Sequence, residues 1–169
     1  ARASLAFVTL IGIGVVVQCA PSSQSASAAQ LVCRAPVAQA FSFPVGPDGS
    51  AVGYYDAQPF GNNHHLGSDW NGVGGGNTDL GEPVLAVGDG VVVSAEDFGG
   101  GWGRVVRVAH DLGFASEPRW VESLYAHLDG IAVRPGEIVR RAQPIGTIGD
   151  ANGRDVAHLH FELRSELEI

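Results

Sequence analysis

After residue 40 no window of eleven or more residues keeps an apolar period of 3.6, and glycines interrupt the apolar stretches every few positions. Such a chain cannot build long helices. It builds short strands joined by tight turns. The strand candidates are Pro83 to Ala86, Gly90 to Ala95, Arg104 to His110, Val121 to Leu128, Pro144 to Ile148 and the alternating stretch Ala157 to Leu163. Val87-Gly88-Asp89 reads as a tight reversal between the first two. The predicted architecture is all-β, an antiparallel sandwich or barrel-like pair of sheets. One domain is expected over 41–169, starting near Phe41-Ser42-Phe43-Pro44, with residues 19–40 as a Ser/Ala-rich linker. Asn71 to Asn77 is too rich in glycine for regular structure and is expected to be a flexible surface loop. It lacks the strand–helix setting of a phosphate-binding loop.

The formal net charge of −8 and the ten basic residues, all arginine, narrow the partners. Nucleic acid needs clustered positive charge, and only Arg140-Arg141 forms even a pair, so no nucleic-acid partner is expected.

The first residues read as an export signal. Arg2 precedes an apolar run from about Leu5 to Val17, followed by small residues. The run is shorter than the ~20 residues of a comfortable membrane span. Two processing sites compete: Ala26-Ser27-Ala28 fits small-x-small cleavage, and Val16-Val17-Gln18-Cys19 resembles a lipoprotein box in which Gln18 is out of pattern. Residues 1–18 are thus a secretory or lipoprotein signal, and the membrane enters only through an anchor at Cys19. Processing at either site leaves Cys33 alone, so no disulfide framework is expected. The start without methionine and the end at Ile169 read as a chain cut at both termini.

The chemistry concentrates in histidines. Strand side chains alternate between faces, so His158, His160 and Glu162 share one face while Leu159, Phe161 and Leu163 point toward a core. A helix would turn His158 and His160 apart. By itself the pair is balanced between a solvated face and a metal or substrate site. His65 and Asp69, four apart, add an imidazole and a carboxylate of the kind that hold zinc. Leu124-Tyr125-Ala126-His127-Leu128 is another alternating strand, and a lone His127 there would more often be structural.

Taken in order, these elements resemble the lysostaphin and LytM-type zinc endopeptidases of bacterial peptidoglycan. The likeness runs over roughly residues 60–164. It includes His65-x-x-x-Asp69, the segment Gly81-Glu82-Pro83-Val84 through Asp89-Gly90 and Val92, and Tyr125-Ala126-His127-Leu128. It continues with Val133, Gly136-Glu137, Val139 and Ile145-Gly146, and ends in His158-Leu159-His160-Phe161-Glu162. The resemblance implies the all-β LytM-type fold, a duplicated hybrid motif with long groove-lining loops. It implies one zinc ion per chain held by His65, Asp69 and His160, with His127 and His158 as the catalytic histidines. Its implied substrates are peptidoglycan stem or bridge peptides, with the bond cleaved left open.

Histidine titrates near neutrality, so two free imidazoles can take a proton from water and stabilise a developing oxyanion. The glutamate of an HExxH enzyme, absent here, is then unnecessary. Glu162 stays open between orienting a ligand and plain strand polarity. His64 and His110 read as structural, with the groove wall a second option for His110. Trp70 to Leu80 is longer than the family's usual turn between the aspartate ligand and the Gly-x-Pro-Val segment. It is expected to wall the groove and alter substrate access rather than zinc binding.

Three other readings compete. A biotinyl or lipoyl carrier fails because the chain has no lysine to modify. A non-catalytic relative that activates cell-wall amidases remains, as does an exported peptidase acting on a glycine-rich protein.

Overall fold

The computed structural model describes residues 27–114 and 119–165. The signal segment and Cys19 lie outside the described residues. Nine strands follow one another: β1 (Tyr54–Gln58), β2 (Ser68–Gly72), β3 (Pro83–Leu85), β4 (Gly90–Asp97), β5 (Arg104–Asp111), β6 (Trp120–Ile131), β7 (Ile138–Val139), β8 (Pro144–Ile148) and β9 (Leu159–Arg164). Every ladder is antiparallel, and the order is β1-β2-β9-β6-β5-β4-β7, with β8 joining β3 to β6. The all-β expectation holds, and no described α-helix lies beyond residue 40. The six anticipated strands are present. β1, β2 and the two-residue β7 lie outside the expected strands; Ser68-Asp69-Trp70-Asn71-Gly72, for example, carries no apolar alternation.

The twelve-residue β6 is the spine. Its first half pairs with β5 and β9, and its last residues pair with β8. Tyr125 and Leu128 from β6, Val92, Val106 and Val108 from β4 and β5, and Ile145 and Ile148 from β8 form one buried cluster with Leu159 of β9. Full burial of each such aliphatic side chain contributes about 1.5–3 kcal/mol. Within this core one polar chain is satisfied end to end. His110 contacts the Asp89 carbonyl at 2.9 Å and the Ser123 hydroxyl at 2.7 Å, and Ser123 contacts the Tyr125 hydroxyl at 3.0 Å, which accepts the Val87 N–H. His110 is fully buried. It is a core residue, and its burial pushes its pKa below the ordinary histidine value.

Part of the stretch expected to be a linker is ordered. α1 (Ala28–Val32) places Leu31 and Val32 in a second cluster with Val91, Val93 and Ala109, and Val37 bridges to Asp111. These apolar residues cover the outer side of β4 and β5, which would otherwise be wet. Cys33, expected to stand alone, is not a free thiol. Leu163, expected in the core, is 58% exposed. It lies past Phe161, where the pairing with β2 ends.

Candidate metal centre

Antiparallel register brings the site together. Asp69 on β2 stands opposite His160 on β9, and His160 stands opposite Ala126 on β6. Directly opposed side chains have Cβ atoms ~4.5–5.5 Å apart, so the carboxylate and imidazole meet without any loop to position them. His65 arrives from the short turn after β1, and its Nδ1 is held 2.8 Å from the carbonyl of Gln58. That turn must pass close over β9. A Cβ added at Gly67 would come within 2.9 Å of His160 Cε1 and Glu162 Cγ, so only glycine fits there.

Three donor atoms converge. His65 Nε2 lies 3.2 Å from Asp69 Oδ1 and 3.0 Å from His160 Nδ1, and the latter lies 2.9 Å from the same Asp69 oxygen. Tetrahedral ligands at about 2.0–2.1 Å from zinc stand about 3.3 Å from one another, close to these separations. The hydrogen-bond partners also fix the tautomers. His65 donates from Nδ1 to Gln58. His160 donates from Nε2 to Glu162 Oε1 at 2.9 Å. The inward nitrogens, His65 Nε2 and His160 Nδ1, therefore carry lone pairs, as does Asp69. Three such atoms this close repel one another unless a positive charge sits among them. The residues fit a zinc ion.

A proton held between His160 Nδ1 and Asp69 Oδ1 can take the place of the ion among these atoms. Burial raises the pKa of Asp69, but the hydrogen bond with His160 and the nearby imidazoles outweigh it and leave the carboxyl below its ordinary value. Burial likewise opposes charge on His160, yet its bonds to Asp69 and Glu162 prevail and its pKa rises. Glu162 is buried, and Arg164 Nε donates to its other oxygen at 2.6 Å. Burial would raise its pKa, but Arg164 and His160 hold it down as a carboxylate. Glu162, which accepts the His160 Nε2–H, thus holds that ring from the side away from Asp69.

Two more imidazoles flank the triad. His158 Nδ1 donates to the Val156 carbonyl at 2.7 Å, which leaves Nε2 as the basic nitrogen, 3.8 Å from Asp69 Oδ1. The His127 ring lies 4.7 Å from that of His158 and 5.6 Å from that of His160, centroid to centroid. His127 reaches this face only because β6 breaks its alternation. Val106 pairs with Tyr125, and Arg104 pairs with Leu128, so β6 carries one extra residue. His127 has φ +62, and its N–H donates to the Trp102 carbonyl at 3.0 Å. The bulge keeps Tyr125 and Leu128 both in the core and turns His127 out beside Ala126. Burial, with the neighbouring imidazoles, pushes the His127 pKa down to about 4, so the ring is neutral at pH 7.

All five histidine and aspartate positions singled out from the sequence thus meet at one place, while the exposed His64 and the buried His110 do not. Trp102, whose ring packs edge-on to His160 at 5.5 Å, was not anticipated. It sits in a glycine-rich turn and carried no periodic signal. The stretch after Asp69 also differs from expectation. Asn71 and Gly72 complete β2, and the remainder is tied down by turns and by the buried Asp79, whose Oδ2 accepts the Gly72 N–H at 2.8 Å.

A histidine–aspartate–histidine donor set on an antiparallel sheet, with two further imidazoles beside it, has the form of a metallopeptidase site. The chain belongs to peptidase family M23, whose family model matches residues 64–168. The lipoprotein NlpD of Yersinia enterocolitica is 34% identical over 84 residues, covering 50% of this chain and 78% of that protein. The murein hydrolase activator EnvC of Escherichia coli is 35% identical over 97 residues, 57% of this chain but 21% of EnvC. Among solved structures, a zinc-containing peptidase from Vibrio cholerae superposes with a TM-score of 0.50 at 26% identity, over 75% of this chain and 37% of that one. Lysostaphin of Staphylococcus simulans gives 0.54 at 25% identity, over 74% of this chain and 47% of that one. The chain spans about a fifth of EnvC and less than half of either solved structure.

Proposed function

We propose that this protein is a zinc-dependent endopeptidase that hydrolyses peptide crosslinks or bridges of bacterial peptidoglycan. The observation that carries this reading is the convergence of the His65, Asp69 and His160 donor atoms within 3.2 Å, with His127 and His158 alongside. Zinc, when bound, lowers the pKa of water and polarises the scissile carbonyl. His65, Asp69 and His160 would hold the ion. His158 accepts a proton from the attacking water at Nε2, because its Nδ1–H is already committed to Val156. His127, neutral and half-buried, hydrogen-bonds the developing oxyanion from across the site. Glu162 and the Gln58 carbonyl fix the tautomers of the two histidine ligands. The signal-like residues 1–18 fit export and action in the cell envelope.

Likeness to EnvC supports a second reading, in which the domain activates another cell-wall hydrolase and cuts nothing itself. One experiment separates the two. The purified protein, with bound zinc quantified, is incubated with defined peptidoglycans, and the products are read by mass spectrometry. Zinc near one per chain and new peptide termini that vanish on chelation are the expected result. Intact substrate with stoichiometric zinc would favour the activator. The same products identify which bond is cut.

A further inference from the structure

β9 loses its β2 neighbour at the point where the chemistry begins. The ladder ends at Trp70 opposite Leu159, so His158 and Ala157 have no backbone partner from β2. On the other side only Gly149 bridges to His158, whose N–H donates to the Gly149 carbonyl at 3.1 Å. Yet Ala157 is fully buried, and its peptide groups must be satisfied. Two asparagines do this. Asn71 Nδ2 donates to the Ala157 carbonyl at 3.3 Å, and the Ala157 N–H donates to Asn77 Oδ1 at 2.9 Å. A carboxamide offers the same donor and acceptor as a peptide group, so the two side chains stand in for the missing strand.

Both residues come from the stretch between Asp69 and Gly81. Asn71 lies two residues after Asp69, on the same face of β2. Asn77 sits in a turn closed by the Leu80 N–H to the Asn77 carbonyl and by Thr78 Oγ1 to the Gly75 carbonyl at 2.9 Å. Asp79 fastens the base of that turn to Gly72. We infer that Asn71 and Asn77 are positioning residues for His158: the segment after the metal carboxylate holds the strand end that carries the second catalytic histidine. The inference rests on the peptidase reading given above. A brace one residue from His158 acts on orientation, and misplacement of a catalytic group by 1 Å can cost about a hundredfold in rate.

The two contacts have opposite polarity, which makes the test specific. Asn77→Asp keeps an acceptor for the Ala157 N–H. Asn71→Asp replaces a donor by a carboxylate facing a carbonyl oxygen. Asn71→Asp and Asn77→Ala are expected to lower kcat by about tenfold to a hundredfold with KM and zinc stoichiometry unchanged, whereas Asn77→Asp keeps kcat near wild type. Unchanged kcat in the first two, equal damage from Asn77→Asp and Asn77→Ala, or loss of zinc in step with kcat would each overturn the inference. A readout that does not need turnover is the NMR signature of the His158 ring in the zinc-loaded protein, with amide exchange at Ala157. Both should change in Asn71→Asp and Asn77→Ala while the His160 ring signals stay put, and unchanged His158 signals would overturn the brace. A wild-type protein that hydrolyses nothing sinks the peptidase reading and leaves the brace to be judged on these spectra.

Discussion

β9 and β6 each deliver a histidine to the same site by opposite means. β9 obeys strict alternation, and His160 falls opposite Asp69 because of it. β6 breaks alternation at a bulge, and His127 arrives in a left-handed conformation held by the Trp102 carbonyl. Regular pairing suits a metal ligand, whose donor atom must stand at a fixed distance from two others. A bulge suits a residue that must leave the core side of its strand without removing Tyr125 or Leu128 from the core. The contrast predicts that the two histidines fail differently when removed.

The largest effect belongs to the regular strand. His160→Ala should lose both zinc and hydrolysis, as read by metal analysis and product formation; retained stoichiometric zinc would show that His160 is no ligand. His127→Ala should lower hydrolysis by about 10²–10⁴-fold while zinc stays near one per chain. Metal loss in that variant would erase the distinction between the two strands. Glu162→Gln should weaken zinc affinity by about ten- to a hundredfold in a chelator competition, since an amide orients His160 less firmly than a carboxylate. An unchanged affinity would make Glu162 a bystander.

The smallest effect lies outside the site, at His110. Its folded pKa is depressed, so between that value and its unfolded value near 6.5 the unfolded chain binds more protons. Its share of stability therefore falls as pH drops below about 6.5, with a slope of at most about 1.4 kcal/mol per pH unit. Denaturant melts across that range, compared with His110→Gln, should show a shallower acid limb in the variant. Identical limbs would assign the acid sensitivity elsewhere.

Much of this was legible in the order of residues. Apolar runs cut by glycine specify short strands wherever they pack, and the spacing of His158 from His160 needs only the two-residue period of a strand. Gly67 is visible in the sequence, but its need for a bare Cα appears only when the His65 turn crosses β9. β2 escaped notice because its residues are polar or small and its strand form comes from neighbours on both sides. The ordered pieces of the supposed linker escaped for a related reason. Leu31 and Val32 are too few to show a period, and they are fixed only by the β4–β5 surface they cover.

The sequence by itself determined the element type, the placing of His158 and His160 on one strand face, and their separation along the chain from His65 and Asp69. Those follow from local rules of period and turn chemistry. Tertiary structure alone decided that Asp69, His160 and Ala126 stand in one cross-strand row, that a bulge turns His127 toward them, and that two asparagines complete the strand before His158. Each of these depends on which strand lies beside which, and register between strands distant in the chain is written in no single stretch of it.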